Sequence, residues 1–136
     1  MSHLVQSRER WDELLAALNK HEVAARGDSW LCVRVGGEQV TIAPVGAHGV
    51  ELIAPVCLEA ELGAHAALVA SRSLAFGALV LAHGRHCLRQ VLPLDLVAPE
   101  GLLELVGALA ALVQVVRAWA ATRPRDEGGP FAGYAA

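Results

Sequence analysis

Hydrophobic positions along the 136-residue chain change period several times, and each change marks an element. Trp11, Leu14, Leu15 and Leu18 fall three and four apart, while Arg8, Glu9, Arg10, Asp12, Glu13 and Lys20 fill the other faces. That spacing predicts an amphipathic helix over about residues 4 to 24, stopped near Arg26 and Gly27. From Trp30 the period drops to two. Leu31, Val33 and Val35 alternate with Trp30, Cys32 and Arg34 up to the hairpin signal Gly36-Gly37. Val40 and Ile42 alternate with Gln39, Thr41 and Ala43 in a second strand that Pro44 should close, since proline cannot donate to a ladder. After the turn Gly46-Ala47-His48-Gly49, a third strand, Val50 to Ala54, should end at Pro55.

Glu59 to about Arg72 is Ala-rich, with Leu58, Leu62 and Val69 on one side; this predicts a short second helix, which Gly63 weakens. A fourth strand follows, with Leu74, Phe76, Ala78 and Val80 alternating with Ala75, Gly77, Leu79 and Leu81, apolar on both faces as a doubly buried strand would be. His83-Gly84-Arg85 turns the chain into a fifth strand ending at Leu92-Pro93-Leu94. Pro99 suits a first helical turn, and Leu102, Leu105, Val106, Leu109, Leu112, Val113, Val116 and Trp119 then form a continuous apolar stripe on a helix of about 22 residues, about 33 Å long. The order is α-β-β-β-α-β-β-α. The fold class is α+β: a single domain over residues 1–123, with a twisted antiparallel sheet packed by helices. Residues 124–136 are Gly-rich with little to bury, a flexible C-terminal tail by composition.

Composition narrows the function classes. Hydrophobic residues reach 54% while aromatics are only 4%, so the core is built from small side chains. The formal net charge is -3 and Lys and Arg do not cluster, which argues against nucleic acid. No apolar run reaches the ~18 residues of a membrane span without interruption by Glu104 or Gln114, and Met1 to Gln6 lacks a signal-peptide profile. The expectation is a soluble cytoplasmic protein without membrane insertion. Its three cysteines, Cys32, Cys57 and Cys87, sit in apolar segments and read as reduced, buried thiols.

Chemistry is sparse. His83, His86 and Cys87 carry zinc-ligand groups, yet neighbours on a strand point to opposite faces and the spacing matches no familiar ligand pattern. Cysteines among Val, Leu and Ala are inert, the carboxylates form no acid–base pair, and no glycine pattern precedes a helix as a phosphate cradle requires. No enzyme, metal or cofactor is expected. Binding is the better prospect. Trp30 opens the first strand opposite Leu31, Val33 and Val35, and an apolar residue outside the core needs a partner.

The element order, Gly84 in the last hairpin, the strand Leu88-Arg89-Gln90-Val91-Leu92-Pro93-Leu94 and the helix bearing Leu102, Leu105, Leu109, Val116, Ala118 and Trp119 together resemble the class I type III secretion chaperones, the Tir-chaperone or CesT-like group. The likeness spans about residues 5 to 122; it departs at Leu68-Val69-Ala70-Ser71-Arg72, where the family usually carries a Leu-Leu-x-x-Asn type ending. The resemblance implies a bacterial cytoplasmic homodimer that, without ATP or cofactor, binds the N-terminal segment of a secreted effector and keeps it competent for export. It implies an effector groove from the first helix and the outer faces of the first three strands, with Trp11, Leu15, Trp30, Cys32, Thr41 and Ile53 as candidate lining. It also implies a dimer seam at the fourth strand, with Leu74, Phe76, Ala78 and Val80. The alternatives are a regulatory adaptor of the same fold that sequesters a secretion-system regulator, and a small metal- or ligand-binding domain using His83, His86 and Cys87.

Overall fold

A computed structural model describes residues 3–122; the expected tail at 124–136 lies outside the described residues. The predicted order of elements is present, with one strand more. Helix α1 (His3–Leu18) is followed by strands β1 (Glu22–Arg26), β2 (Leu31–Val35), β3 (Glu38–Val45) and β4 (Gly49–Leu58). Helix α2 (Ala64–Ser73), strands β5 (Ala78–Ala82) and β6 (Arg85–Pro93), and helix α3 (Pro99–Ala121) complete it. The six strands form one antiparallel sheet in the order β1-β2-β3-β4-β6-β5.

The extra strand corrects the first helix, which stops at Leu18 and not near residue 24. Leu18 is its last fully buried position, so further turns would add no apolar contact to the core. Glu22 to Arg26 pairs with β2 instead, and Arg34 donates to the Glu22 carboxylate at 2.9 Å across that ladder. Helix propensity in Glu-Val-Ala-Ala-Arg is overridden by an available strand partner.

Two prolines also behave differently from expectation. Pro44 lies within β3, opposite Val50, and β4 runs on through Pro55 to Leu58. The register shifts between Pro55 and Cys57, the signature of a bulge, where a missing donor is tolerated. The carbonyls freed there are not orphaned: Arg117 of α3 donates to Val56 O at 2.8 Å and to Pro55 O at 3.3 Å. Gly63 divides the expected second helix into a short 3-10 turn, Glu59–Glu61, and α2. The expected strand from Leu74 begins only at Ala78, because Gly77 takes φ +75°. The two tight hairpins hold as predicted: Gly36 and Gly37 have φ 58° and 85°, and His83 and Gly84 have φ 53° and 74°, the two consecutive positive values of a type I′ turn.

One face of the sheet carries the core. Leu31 and Val33, Val40 and Ile42, Val50, Leu52 and Ala54, and Leu88 point toward α1 and α3 and are buried with Trp11, Leu14, Leu18, Leu102, Val106, Leu109 and Val113. α3 lies across β4, β3 and β2, with α1 against it. α2 sits at the β5 edge, where Ser71 Oγ accepts from the Leu79 N–H at 3.3 Å. The other face of the sheet carries no helix among the element contacts of the described residues.

Candidate functional site

The pleat fixes what the uncovered face presents. Because side chains alternate and the ladders are in register, one row crosses all six strands: Ala25 opposite Cys32, Cys32 opposite Thr41, Thr41 opposite Ile53, Ile53 opposite Arg89, and Arg89 opposite Ala78. Cys32 is buried beneath its neighbours, while Thr41 and Ile53 are half-buried and open to approach. The next row sets Ala43 opposite Glu51 and Glu51 opposite Val91, which is 41% exposed. Arg89 closes the pair of rows with an ion pair to Glu51. The result is a shallow apolar strip with one charged pair on its floor, suited to an extended chain that offers side chains on alternate positions.

Trp30 stands at the corner of this face. The chain turns tightly there, with the Gly27 N–H donating to Trp30 O at 3.0 Å, and the indole lies directly over Gly27. A Cβ at Gly27 would fall 2.0 Å from the indole nitrogen. Trp30 itself stays 39% exposed. From the opposite side of the same loop, Trp11 of α1 donates through Nε1 to Ser29 O at 3.1 Å. Trp11 is buried, and its rim with Arg8, Asp12, Asp28, Pro44 and Leu94 borders a shallow depression of about 410 Å³. A Gly27→Ala substitution therefore displaces Trp30. The expected result is a red-shifted tryptophan emission and a loss of about 1 kcal/mol in urea unfolding, as for other overpacking changes; unchanged emission would show that the indole does not rest on Gly27.

The six candidate lining residues thus fall into separate places. Cys32, Thr41 and Ile53 share the open row, Trp30 holds its corner, and Trp11 and Leu15 lie on the helix-covered side, where Leu15 packs against the core. The four residues expected to alternate along one strand do not do so. Leu74 and Phe76 belong to the segment before β5 and pack against the core, while Ala78 and Val80 lie on the open face of β5, the last strand of the sheet. Sequence reasoning missed Arg89, Glu51 and Val91 of the open face; their alternation is visible in the sequence, but the β4–β6 pairing that brings them beside Ile53 is not.

The histidine and cysteine groups disperse. His83 is exposed in its turn, His86 is buried with Nε2 2.8 Å from Leu62 O, and Cys87 points to the opposite face. Burial pushes the Cys57 thiol up, with Glu61 adding to it, and burial likewise raises Cys87, so both stay protonated and poorly nucleophilic. Among the described residues, no three His, Cys, Asp or Glu side chains are grouped to hold a metal ion.

The sequence matches no family model and no curated protein. Solved structures do match. The Yersinia pestis type III secretion chaperone SycH, solved in complex with a stable fragment of YscM2, superposes with a TM-score of 0.60 at 13% identity, over 81% of this chain and 98% of that one. The fold is the type III secretion chaperone fold. A HopA1–SchA chaperone–effector complex gives a TM-score of 0.59 at 15% identity over 83% and 91% of the two chains. The ExoT–SpcS complex of Pseudomonas aeruginosa gives 0.51 at 16% over 87% and 98%. Within this secretion-chaperone fold, α3 has the length of a membrane span and a mean hydropathy of 1.7, yet it lies across the sheet and supplies much of the core.

Proposed function

We propose that this protein is a non-enzymatic, cytoplasmic type III secretion chaperone that holds the N-terminal segment of an effector extended for export. The observation that carries the reading is the uncovered sheet face, with Thr41 and Ile53 in a row that crosses every strand and Trp30 at its corner. An extended segment can seat alternate side chains on that strip and add backbone hydrogen bonds at the free edge of β1. The match to chaperones solved with their partners supports the same reading.

The working unit in this proposal is a homodimer. β5 forms the other edge of the sheet, and Leu81 of β5 with Leu68 and Val69 of α2 leaves 58%, 54% and 41% of their surfaces exposed beside it. An edge strand flanked by exposed aliphatic side chains needs a cover, and a second copy provides one.

The test is co-expression with the first hundred or so residues of the effector encoded beside this gene. The expected result is a co-purifying complex in which that segment resists protease. Ile53→Asp should weaken the complex by about a hundredfold, because it places a carboxylate under a desolvated strand. Failure to form any complex, or an Ile53→Asp complex as tight as the native one, would overturn the proposal.

A further inference from the structure

Arg89 stands on the open face with most of its hydrogen-bonding capacity unused. Its neighbours across the ladders are Ile53 and Ala78, and its neighbours along β6 on the same face are Cys87 and Val91. None of the four offers a charge. Glu51 reaches it from the diagonal position and accepts from Nε alone. A guanidinium donates from three nitrogens, yet Nη1 and Nη2 of Arg89 make no hydrogen bond among the described residues. Arg117, which ties α3 to the sheet, is the contrast: its Nε, Nη1 and Nη2 all reach acceptors on Glu38 and the β4 bulge. The Arg89 side chain is 38% exposed and that of Glu51 24%, so the cation is the more accessible member of the pair.

We infer that Arg89 selects the cargo, by taking an aspartate or glutamate side chain of the bound segment on the free edge of its guanidinium. The inference rests on the reading of the open face as the seat of that segment and adds the chemistry the segment must carry there. A chain laid over the strip excludes water from Arg89, and each buried N–H then requires an acceptor. A carboxylate meets both terminal nitrogens at once, because its two oxygens match the planar fork. A lysine or arginine set on Glu51 is the weaker fit, since one Glu51 oxygen is already taken by Nε and the newcomer would face the Arg89 charge. The uncharged ring around the fork strengthens a matched pair and penalises a segment that brings an apolar side chain to that place. Position follows as well. β6 lies three strand spacings from β2, about 14 Å, which an extended chain covers in about four residues. The acidic residue therefore belongs about four positions from the apolar side chain that meets Trp30.

The test measures dissociation constants, by fluorescence anisotropy, for a labelled segment comprising the first hundred or so residues of the effector encoded beside this gene. Arg89→Gln should weaken the complex by about thirtyfold with an unchanged far-UV circular dichroism spectrum. Glu51→Gln should tighten it by about threefold, because it removes the carboxylate that competes for the fork. A purely structural role for the ion pair would make both variants weaken it. Each acidic residue of the segment is then changed to its amide. One of these changes should reproduce the Arg89→Gln loss against the native protein and cost little more against Arg89→Gln itself, the mark of a direct pair. Failure of the native protein to bind the segment would overturn the reading of the open face and this inference with it. A complex weakened by Ile53→Asp but not by Arg89→Gln would leave that reading standing and overturn the inference alone. So would a segment in which no amide substitution weakens binding to the native protein by as much as about fivefold, a result that does not depend on how Arg89→Gln folds.

Discussion

Leu109→Ala should lower the unfolding free energy by about 3 kcal/mol and the melting temperature by about 10 °C, the largest stability loss expected from a single truncation in this chain. Leu109 is fully buried midway along α3, on the edge that α3 lays across the sheet. Truncation removes the transfer free energy of its side-chain carbons and leaves a cavity between layers that cannot close. The sheet is fixed by its ladders, and α3 is held by Gln114 and Arg117. Urea unfolding at one protein concentration measures the effect, with concentration held fixed so that any self-association enters both measurements equally. A loss below about 1 kcal/mol would mean that the helix settles into the gap.

Arg117→Met should cost about 2 kcal/mol, less than Leu109→Ala and with a different pH signature. The guanidinium donates to both Glu38 oxygens, at 2.8 and 2.7 Å, and to two carbonyls at the β4 bulge. Its own head is about half exposed, which limits the Coulombic part of the loss, but Glu38 is buried and the carbonyls lose a donor. Hydrogen bonds from Arg117 hold the Glu38 carboxyl below the usual carboxylate range. A depressed pKa stabilises the folded state above the unfolded pKa, and that stabilisation disappears as pH falls through the folded value. The gap between native and variant should therefore be widest near neutral pH and shrink on acidification below about pH 4.5. A gap that stays constant with pH would separate the loss from Glu38.

Elements with a strong internal rhythm were legible in the sequence. The long helix, the Gly36-Gly37 and His83-Gly84 turns and the alternation of β2 and β3 all carry their own signal, through apolar spacing or the need for positive φ. β1 was not legible, since Glu-Val-Ala-Ala-Arg forms a strand only because β2 lies beside it with Arg34 opposite Glu22. The extension of β4 past Pro55 was hidden for a similar reason: its bulge is completed by an arginine 62 residues away in α3. For the candidate site, alternation placed Cys32, Thr41 and Ile53 on one face. It could not put Leu15 under the helices or bring Arg89 next to Ile53, because layer and strand order are tertiary facts. The expected seam divided for a local reason, Gly77, whose positive φ delays β5 by four residues and turns Leu74 and Phe76 inward.

The strand order has a temporal consequence. β1 to β4 is a chain of local hairpins, and so is β5–β6; β4–β6 is the one pairing that must close a long loop, with α2 inside it. Loop-closure entropy therefore falls on a single step, and that step governs the folding rate. During synthesis α1 and the meander leave the ribosome first, with Val33, Ile42 and Leu52 only partly covered until α3, some fifty residues later, completes the core. A protein of this fold is, for that interval, itself an unfinished client.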